Sequence, residues 1–249
     1  MGNIITVASG KGGTGKTTSV AAVSSCLAAL GFKTLCIDFD AGMKNLDLLL
    51  GMADFAVTDF TDVLYRRRSL MQACCECPRI PGLFFLPAPA LINPWELDAS
   101  ALPKLFKAVR KKFDYCLIDA PSGIGAGFGL AHCDVDMSIL VATGELTSLR
   151  DAQRAADTAR DLGAKDVRLL VNRVKPKNFK IMRATIDDMV DTTSARLIGV
   201  VPEDRCVFRA LHEGTPLILY KKRRSAHEFL DIARRIAGED VPLQIRRRF

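Results

Sequence analysis

The residues of this chain best suited to chemistry lie in a glycine-rich stretch near its beginning. Lys16 and Thr17 follow the glycines at the spacing of a phosphate-binding loop, in which successive backbone N–H groups surround one phosphate. The lysine of such a loop reaches the terminal phosphates of a nucleotide, and the hydroxyl beside it ligates Mg²⁺. The sequence therefore predicts a nucleotide site made of Gly10, Lys11, Gly12, Gly13, Thr14, Gly15, Lys16, Thr17 and Thr18.

The segments on either side of this loop have the character that such a site requires. The apolar residues 4–8 predict a strand before the loop, and an Ala-rich segment of helical period follows it from Val20 to Leu30. A loop between a strand and a helix places the phosphate at the positive end of the helix dipole. A plain glycine-rich turn is the alternative, and it would not require a lysine and a threonine at these positions.

Acidic residues end two further apolar runs. Asp38 closes the run 34–38, and Asp119 closes the run 115–119 in the arrangement of a Walker B strand. Doubly wound folds bind their ligands at the carboxyl ends of such strands. We therefore expect Asp38 and Asp119 to hold Mg²⁺ through water, beside Thr17, and Asp40 to orient the attacking water. A polar loop after a strand is the alternative for the stretch that follows Asp38.

Lys11 is a second lysine that a phosphate-binding loop does not need. Its ammonium group can neutralise phosphate charge in its own subunit or in a second one, as an arginine finger does. Residues 11–17 resemble the deviant Walker A motif shared by the MinD, ParA and nitrogenase iron-protein families. The resemblance implies an ATPase that binds ATP and ADP with Mg²⁺ and forms a homodimer with ATP, in which Lys11 crosses to the partner's nucleotide.

The resemblance to the MinD family extends over residues 4–219 and implies roles for further residues. Residues 38–47 resemble its switch I, which makes Asp40 the hydrolytic residue and Asn45 a switch contact. Residues 143–154 resemble its interface helix, in which Asp151 would meet the partner's Lys11 and Arg154 would lie in the same partner interface. An ordinary solvated helix start is the alternative for this last segment.

Two polar segments after later strands complete the predicted site. An amide at a strand end offers one donor and one acceptor, which suits the edge of adenine. The family resemblance implies this role for Asn172, and it likens residues 202–204 to the family's loop beside the base and ribose. The predicted base and ribose side therefore consists of Asn172, Arg173, Pro202, Glu203 and Asp204.

Apolar runs alternate with helical segments along the whole chain and predict an α/β fold. This alternation favours a P-loop NTPase with a doubly wound, mostly parallel sheet and helices on both faces. We expect a single domain over residues 1–249, with a short basic tail at 239–249. The predicted strands are 4–8, 34–38, 83–86, 115–119, 135–141, 167–171 and 197–201.

The helix predictions are less complete than the strand predictions. Helices are expected at 20–30, 101–113 and 225–237, with two short ones within residues 53–82. Another is expected to begin near residue 147, with Thr147 or Ser148 as its N-cap.

Composition excludes several classes of protein. The chain has 249 residues, of which 49% are hydrophobic and 25% charged, as in ordinary globular proteins. No apolar run approaches the ~20 residues that span a bilayer, and the amino terminus leads directly into a strand, so we expect a cytoplasmic protein. The cysteines at 74, 75 and 77 lack the second group of ligands that a metal site needs. An iron–sulfur carrier is disfavoured because residues 123–129 contain no cysteine.

The net charge of +7 permits attraction to nucleic acid or to anionic lipid. MinD proteins usually end in an amphipathic membrane helix, whereas Pro242 leaves fewer than two helical turns at the end of this chain. Weak peripheral contact of the basic tail with the inner face of the cell membrane is therefore a hypothesis based on Ile245, Phe249 and residues 246–248.

Two functions remain open from the sequence. The first is an ATP-dependent dimerisation switch that hydrolyses ATP to ADP and phosphate and helps to place the bacterial division septum. The resemblance implies a MinC-like division inhibitor and a MinE-like or DivIVA/MinJ-like topological regulator as its partners. The alternative is a ParA-like partition or flagellar-number ATPase that binds nucleoid DNA through Arg223, Arg224 and residues 246–248. The net charge favours the second function, and the switch I resemblance favours the first.

Overall fold

One sheet of eight strands organises the described part of the chain. The computed structural model describes residues 1–40, 45–53, 55, 58–89, 97–175, 186–220 and 222–243. The strands are β1 Asn3–Ala8, β2 Thr34–Asp38, β3 Cys75–Glu76, β4 Leu83–Leu86, β5 Tyr115–Asp119, β6 Met137–Thr143, β7 Asp166–Val174 and β8 Arg196–Pro202. Their order across the sheet is β3-β4-β2-β5-β1-β6-β7-β8.

Some features named in the sequence lie outside the described residues. They are residues 41–44 of the switch I-like stretch, Lys221 of the basic run at 221–224, and the last part of the tail, residues 244–249. The predictions that rest on them remain predictions.

Ten α-helices lie within the described residues. They are α1 Lys16–Ala29, α2 Leu46–Leu50, α3 Phe60–Leu64, α4 Leu70–Ala73, α5 Leu102–Lys112, α6 Ala126–Ala131, α7 Leu146–Asp161, α8 Ile186–Thr193, α9 Arg205–His212 and α10 Arg224–Ile236. Short 3₁₀ turns at Ala99–Ala101 and Leu217–Leu219 precede α5 and α10.

The sheet is covered on both faces, so its central strands are buried along almost their whole length and are mostly apolar. In β1, Ile4 and Ala8 enter one apolar cluster, and the intervening Ile5 and Val7 enter the other. The first cluster also contains residues of helices α3 to α8, and the second contains residues of α1, α2, α9 and α10. Neighbouring strands pair in parallel except for β3 with β4. This is the doubly wound arrangement that the sequence predicts.

All seven predicted strands are present, and the fold class is confirmed. The structure adds β3, a two-residue edge strand that pairs antiparallel to β4. Strand β3 was not predicted because two residues, Cys75 and Glu76, are too few to show a periodic pattern. The structure also adds helices α2, α6, α8 and α9, none of which was predicted from the sequence.

Two expectations about helix ends are wrong. Helix α1 begins at Lys16 rather than Val20, because the glycine-rich loop leads directly into it. Helix α7 begins at Leu146 with Glu145 at the N-cap position, so neither Thr147 nor Ser148 caps it. The Ser148 hydroxyl instead accepts a hydrogen bond of 2.9 Å from the Thr143 N–H and ties α7 to the end of β6.

No helix within the described ranges is both long and apolar enough to cross a membrane.

His132 joins α6 to the sheet from a buried position. Its Nδ1 lies 2.8 Å from the Phe128 carbonyl oxygen, and its Nε2 lies 2.9 Å from Ser138 Oγ on β6. Since a carbonyl only accepts, Nδ1 donates and the neutral ring uses Nε2 as the acceptor. Burial lowers the pKa of His132, because the charged ring loses water there.

We predict that His132 makes the protein less stable in mild acid. A His whose pKa is lower in the folded state contributes stability above its unfolded pKa, and this contribution is lost as the pH falls toward the folded pKa. Between about pH 7.5 and pH 5.5, the free energy of urea unfolding of the nucleotide-free wild type should therefore fall by about 1 kcal/mol relative to that of His132→Gln. The exposed His227 is the matched control, and a His227→Gln variant that removed the loss instead would contradict the prediction.

Candidate functional site

The glycine-rich loop connects the end of β1 to the start of α1 and depends on its glycines for space and conformation. Gly13 and Gly15 have φ angles of 80° and 90°, in the left-handed region that glycine adopts most easily. A Cβ at Gly10 would lie 2.2 Å from the Asp151 carbonyl oxygen, and one at Gly15 would lie 2.3 Å from the Asn172 amide nitrogen. The loop is therefore fixed against two segments that the sequence predicted to join the site.

Lys16 lies among carboxylates at the carboxyl edge of the sheet. Its Nζ is 2.6 Å from Asp119 Oδ1 and 3.3 Å from Asp40 Oδ2. Asp38 and Asp119 are register partners on the neighbouring strands β2 and β5, and the Asp38 Oδ1 accepts a 2.8 Å hydrogen bond from the Asp40 N–H. The structure thus brings together the lysine and three acidic residues that the sequence analysis singled out separately.

Carboxylate charge is in excess at this point. Burial, together with repulsion from Asp119, raises the pKa of Asp38 to about 7. Burial also raises the pKa of Asp119, although the Lys16 ammonium opposes the rise. One lysine does not balance the carboxylates, which leaves this position suited to a further cation.

The donors at this edge fit the Mg²⁺ that the loop implies. Asp119 Oδ2 is buried and has no hydrogen-bond partner among the described residues. The Thr17 hydroxyl interacts with the same carboxylate in the sense that lowers the pKa of Asp119, and Asp38 lies on the neighbouring strand. Oxygen donors of this kind are what Mg²⁺ prefers. Thr17, Asp38 and Asp119 are therefore the residues that would hold it, Asp38 and Asp119 through water.

Lys11 lies apart from this cluster and contacts the start of α7. Its Nζ is 2.9 Å from Glu145 Oε2 and 3.2 Å from Thr147 Oγ1. The hydrogen bond from Lys11 lowers the pKa of the exposed Glu145. The sequence analysis missed Glu145, since an acidic residue before a helix is common and carries no spacing signal. Arg154 lies farther along α7 with an exposed side chain.

On the base side, β7 departs from its ladder with β8 and turns polar residues toward the loop. The register shifts between Val171 and Val174, and Arg173 has a φ of 56°. The Asn172 amide donates a 2.8 Å hydrogen bond to the Thr14 carbonyl oxygen. Arg173 donates to the Gly13 carbonyl oxygen at 3.2 Å. Both predicted residues thus contact the phosphate-binding loop. A non-glycine residue with a positive φ, such as Arg173, is often found at a functional site.

The segment 202–204 lies beside these residues but is partly used by the fold. Glu203 pairs with Arg173 at 3.4 Å and with Lys175 at 2.7 Å. Asp204 caps α9, because its Oδ1 accepts from the Cys206 N–H at 2.8 Å, and its Oδ2 accepts from the Ser225 hydroxyl at 3.0 Å. Its predicted contact with the nucleotide remains a prediction.

A cavity of about 940 Å³ runs from the phosphate loop to helices α2 and α9. Its polar part is lined by Ser9, Ser122, Arg205 and most of the residues predicted to contact the nucleotide, namely residues 12–18, Asp40, Asn45, Asn172, Arg173 and residues 202–204. Gly10 and Lys11 lie outside the lining. The sequence analysis missed its apolar part, lined by Leu49, Val207, Phe208 and Leu211. Phe208 is 74% exposed. Whether an apolar residue at helical spacing is buried in the core or exposed to a cavity cannot be predicted until the packing of the helix is known.

We predict that Asp38→Asn stabilises the nucleotide-free protein, most strongly above pH 7. A carboxyl group whose pKa is raised in the folded state destabilises the protein once it is ionised. The destabilisation grows as the pH rises from the unfolded-state pKa of about 4 to the folded-state pKa of about 7. The gain should be about 1–3 kcal/mol at about pH 8 and about a third of that at about pH 5, measured by urea unfolding. An equal gain at both values would contradict a charge effect, and Asp161→Asn on the exposed end of α7 is the control.

Comparison with known proteins supports a nucleotide-binding domain over almost the whole chain. The family model of the CobQ/CobB/MinD/ParA nucleotide binding domain matches residues 5–217. The septum site-determining protein MinD of Synechocystis is 37% identical over 97% of this chain and 92% of its own length. The corresponding protein of Escherichia coli is 34% identical over 98% of this chain and 94% of its own.

Solved structures extend the comparison. MinD in the MinC:MinD cell division complex of Aquifex aeolicus superposes with a TM-score of 0.87 at 34% identity, over 97% of this chain and 98% of its own. MinD of Pyrococcus horikoshii, solved with Mg-ADP, has a TM-score of 0.82 at 30% identity, over 97% of this chain and all of its own. A ParA family ATPase of Chlorobium tepidum is 18% identical and shares the fold alone. The chain therefore belongs to the MinD/ParA family of P-loop nucleotide-binding proteins, on the side of the MinD septum site-determining ATPases.

Proposed function

We propose that this chain is an ATP-dependent dimerisation switch that hydrolyses ATP to ADP and phosphate with Mg²⁺. The observation that carries the proposal is the position of the buried Lys16, which lines the 940 Å³ cavity and lies between Asp119 and Asp40. An ammonium group held by carboxylates at this place can exchange them for the terminal phosphates of ATP. Asp40 would then be free to turn toward the γ-phosphate.

The chain's own residues divide the reaction between them. The backbone N–H groups of residues 12–17 bind the phosphates, and Lys16 stabilises the charge that develops on them. Mg²⁺, held by Thr17, Asp38 and Asp119, would neutralise phosphate charge during the displacement. Asp40 orients the attacking water and accepts its proton. Asn172 and the apolar wall of α2 and α9 orient the base end of the nucleotide.

Lys11 connects the reaction to dimerisation. In the described conformation it pairs with Glu145, which is 70% exposed. Exposed ion pairs contribute little to stability, because water and salt compete for both partners. The concentrated charge of a nucleotide in a second subunit would therefore attract Lys11 away from Glu145. Asp151 and Arg154 would lie in the same interface on α7.

The proposed output is placement of the bacterial division septum. A relative from Aquifex aeolicus is seen in a complex with MinC, which supports a MinC-like division inhibitor as one partner of this chain. A MinE-like or DivIVA/MinJ-like regulator would reset the switch by stimulating hydrolysis. The relatives above 30% identity are septum site-determining proteins, which favours this output over DNA partition.

We predict that Lys11 and Asp40 have separable roles. Lys11→Ala should remain a monomer with ATP, because the cross-subunit charge is lost. Asp40→Ala should form a dimer that persists, with hydrolysis slowed on the order of a hundredfold. Size exclusion with light scattering measures the dimer, and phosphate release measures hydrolysis.

Lys165→Ala, an exposed lysine outside the cavity, is the control and should match the wild type. A wild-type chain that stays monomeric with ATP and Mg²⁺ would overturn the switch. A Lys11→Ala variant that dimerises normally would overturn the role given to Lys11.

We also propose a cytoplasmic protein whose tail contacts the inner face of the cell membrane in the dimer. Arg235 fixes the beginning of the tail, because its guanidinium donates to the carbonyl oxygens of Val241 at 2.9 Å and Pro242 at 3.1 Å. The basic residues that follow would then leave the fold from a defined place. Two weak tails in one dimer gain from avidity.

We predict ATP-dependent co-sedimentation with vesicles that contain anionic lipid. Deletion of residues 244–249 should abolish it while leaving ATP-dependent dimerisation intact, since residues 239–243, which lead into them, are not part of the lining of the nucleotide cavity. Neutral vesicles are the control. Binding that persists after the deletion, or that ignores ATP, would contradict a tail-based anchor.

A further inference from the structure

Helix α5 is the most strongly basic helix of the described chain. Its eleven residues include five cations and no acid, at Lys104, Lys107, Arg110, Lys111 and Lys112. Its other face is buried through Leu102, Leu105, Phe106 and Val109. Because this apolar face is fixed against the sheet, the direction of the basic face is fixed as well.

The lysines form a row along the outer side of the helix. Lys104, Lys107 and Lys111 follow one another at spacings of three and four, so they share one face. At a rise of about 1.5 Å per residue, the row is about 10 Å long with about 5 Å between charges. All three side chains are exposed. The row therefore presents regularly spaced positive charge to solvent.

These charges are not used by the fold. Within the described residues, Lys107 and Lys111 make no hydrogen bond or ion pair, and Lys104 has only a weak interaction with the exposed Asp98. Arg110 is different, since its guanidinium contacts Asp136 and the carbonyl oxygens of Gly2 and Asp134. One cation of α5 stabilises the structure, and the lysine row is left available.

The row ends at a cleft on the amino edge of the sheet. The cleft has a volume of about 470 Å³ and is lined by Lys33, Lys111 and Lys112 among others. The Lys33 ammonium lies 5.1 Å and 5.2 Å from the ring centres of Phe84 and Phe113, which hold it in place. Asp114 is the one acid of this lining, and its Oδ2 accepts from the Lys33 N–H. The positive surface thus continues from the helix into a concave site.

The chemistry of the surface selects among anionic partners. It offers lysines, which act as point charges, and no free arginine fork that would bind a carboxylate at two points. Met1 in the cleft is the one exposed large apolar side chain of this surface within the described residues, and none lies on α5, whereas contact with a bilayer needs several apolar residues that enter it. A linear phosphate polyanion is the partner that requires only spaced positive charge.

We propose that the lysine row of α5 and the cleft at its end bind the phosphodiester backbone of nucleic acid without regard to sequence. This inference goes beyond the proposed switch, because the surface lies at the amino edge of the sheet and the nucleotide cavity lies at the carboxyl edge. Binding at α5 therefore needs neither ATP nor dimerisation. It also differs from a partition-type contact through Arg223, Arg224 and the tail.

The test is fluorescence anisotropy of a labelled random-sequence DNA duplex with the nucleotide-free full chain. Each phosphate contact steepens the slope of log K against log salt by about 0.9, so loss of three contacts should flatten it by about 2 to 3 between about 50 mM and 200 mM salt. Lys104→Gln/Lys107→Gln/Lys111→Gln removes the row while keeping helix propensity. Arg66→Gln/Arg68→Gln/Lys165→Gln removes the same charge from exposed positions elsewhere and is the matched control.

The expected result is that the α5 variant loses affinity by about tenfold or more at low salt and that the control variant keeps the wild-type slope. An equal loss in both variants would show attraction by net charge alone and would overturn the proposal. No binding by the wild type would also overturn it. Capture of the wild type by anionic vesicles that the α5 substitutions abolish, without an effect on DNA, would assign the surface to membrane and overturn it as well.

Discussion

The contact of Lys16 with Asp119 and Asp40 is the interaction on which the rest of the site depends. A buried lysine and a buried carboxylate are each costly alone, and each makes the other acceptable. The carboxylates still outnumber the lysine, so the site keeps an excess of negative charge that favours binding of a cation. Such a site is stable enough to fold and remains poised to accept a nucleotide with its metal ion. Burial, together with repulsion from Asp119, raises the pKa of Asp38 toward neutrality.

The two-faced sheet is what places these groups together. Strands β1, β2 and β5 are neighbours in parallel, so the loop after β1, Asp38 and Asp119 emerge at one edge. Helices on both faces keep water from the strands and leave the carboxyl edge as the place where polar groups can meet a ligand. The amino edge is left for other chemistry, and there the chain places the lysines of α5 and Lys33.

Much of the fold and of the phosphate-binding part of the site was predictable from the sequence alone. Strand positions follow from apolar runs, because a strand buried on both faces tolerates few polar residues. The loop was visible because glycine, lysine and threonine occupy fixed positions in a way that packing does not impose. Helix ends were predicted less well. Glu145 rather than Thr147 or Ser148 occupies the N-cap position of α7, and the Ser148 hydroxyl instead accepts a hydrogen bond from the Thr143 N–H at the end of β6.

The sequence by itself was enough to recognise the family, which the comparisons confirm, and to predict which residues bind phosphate, because both depend on residue type and spacing along the chain. Only the tertiary structure decided which partners those residues take. Lys11 pairs with Glu145, Asn172 with the Thr14 carbonyl, and Asp204 with the start of α9. Each of these contacts joins or orders segments through packing, and a one-dimensional pattern contains no distance between segments that are far apart in the chain.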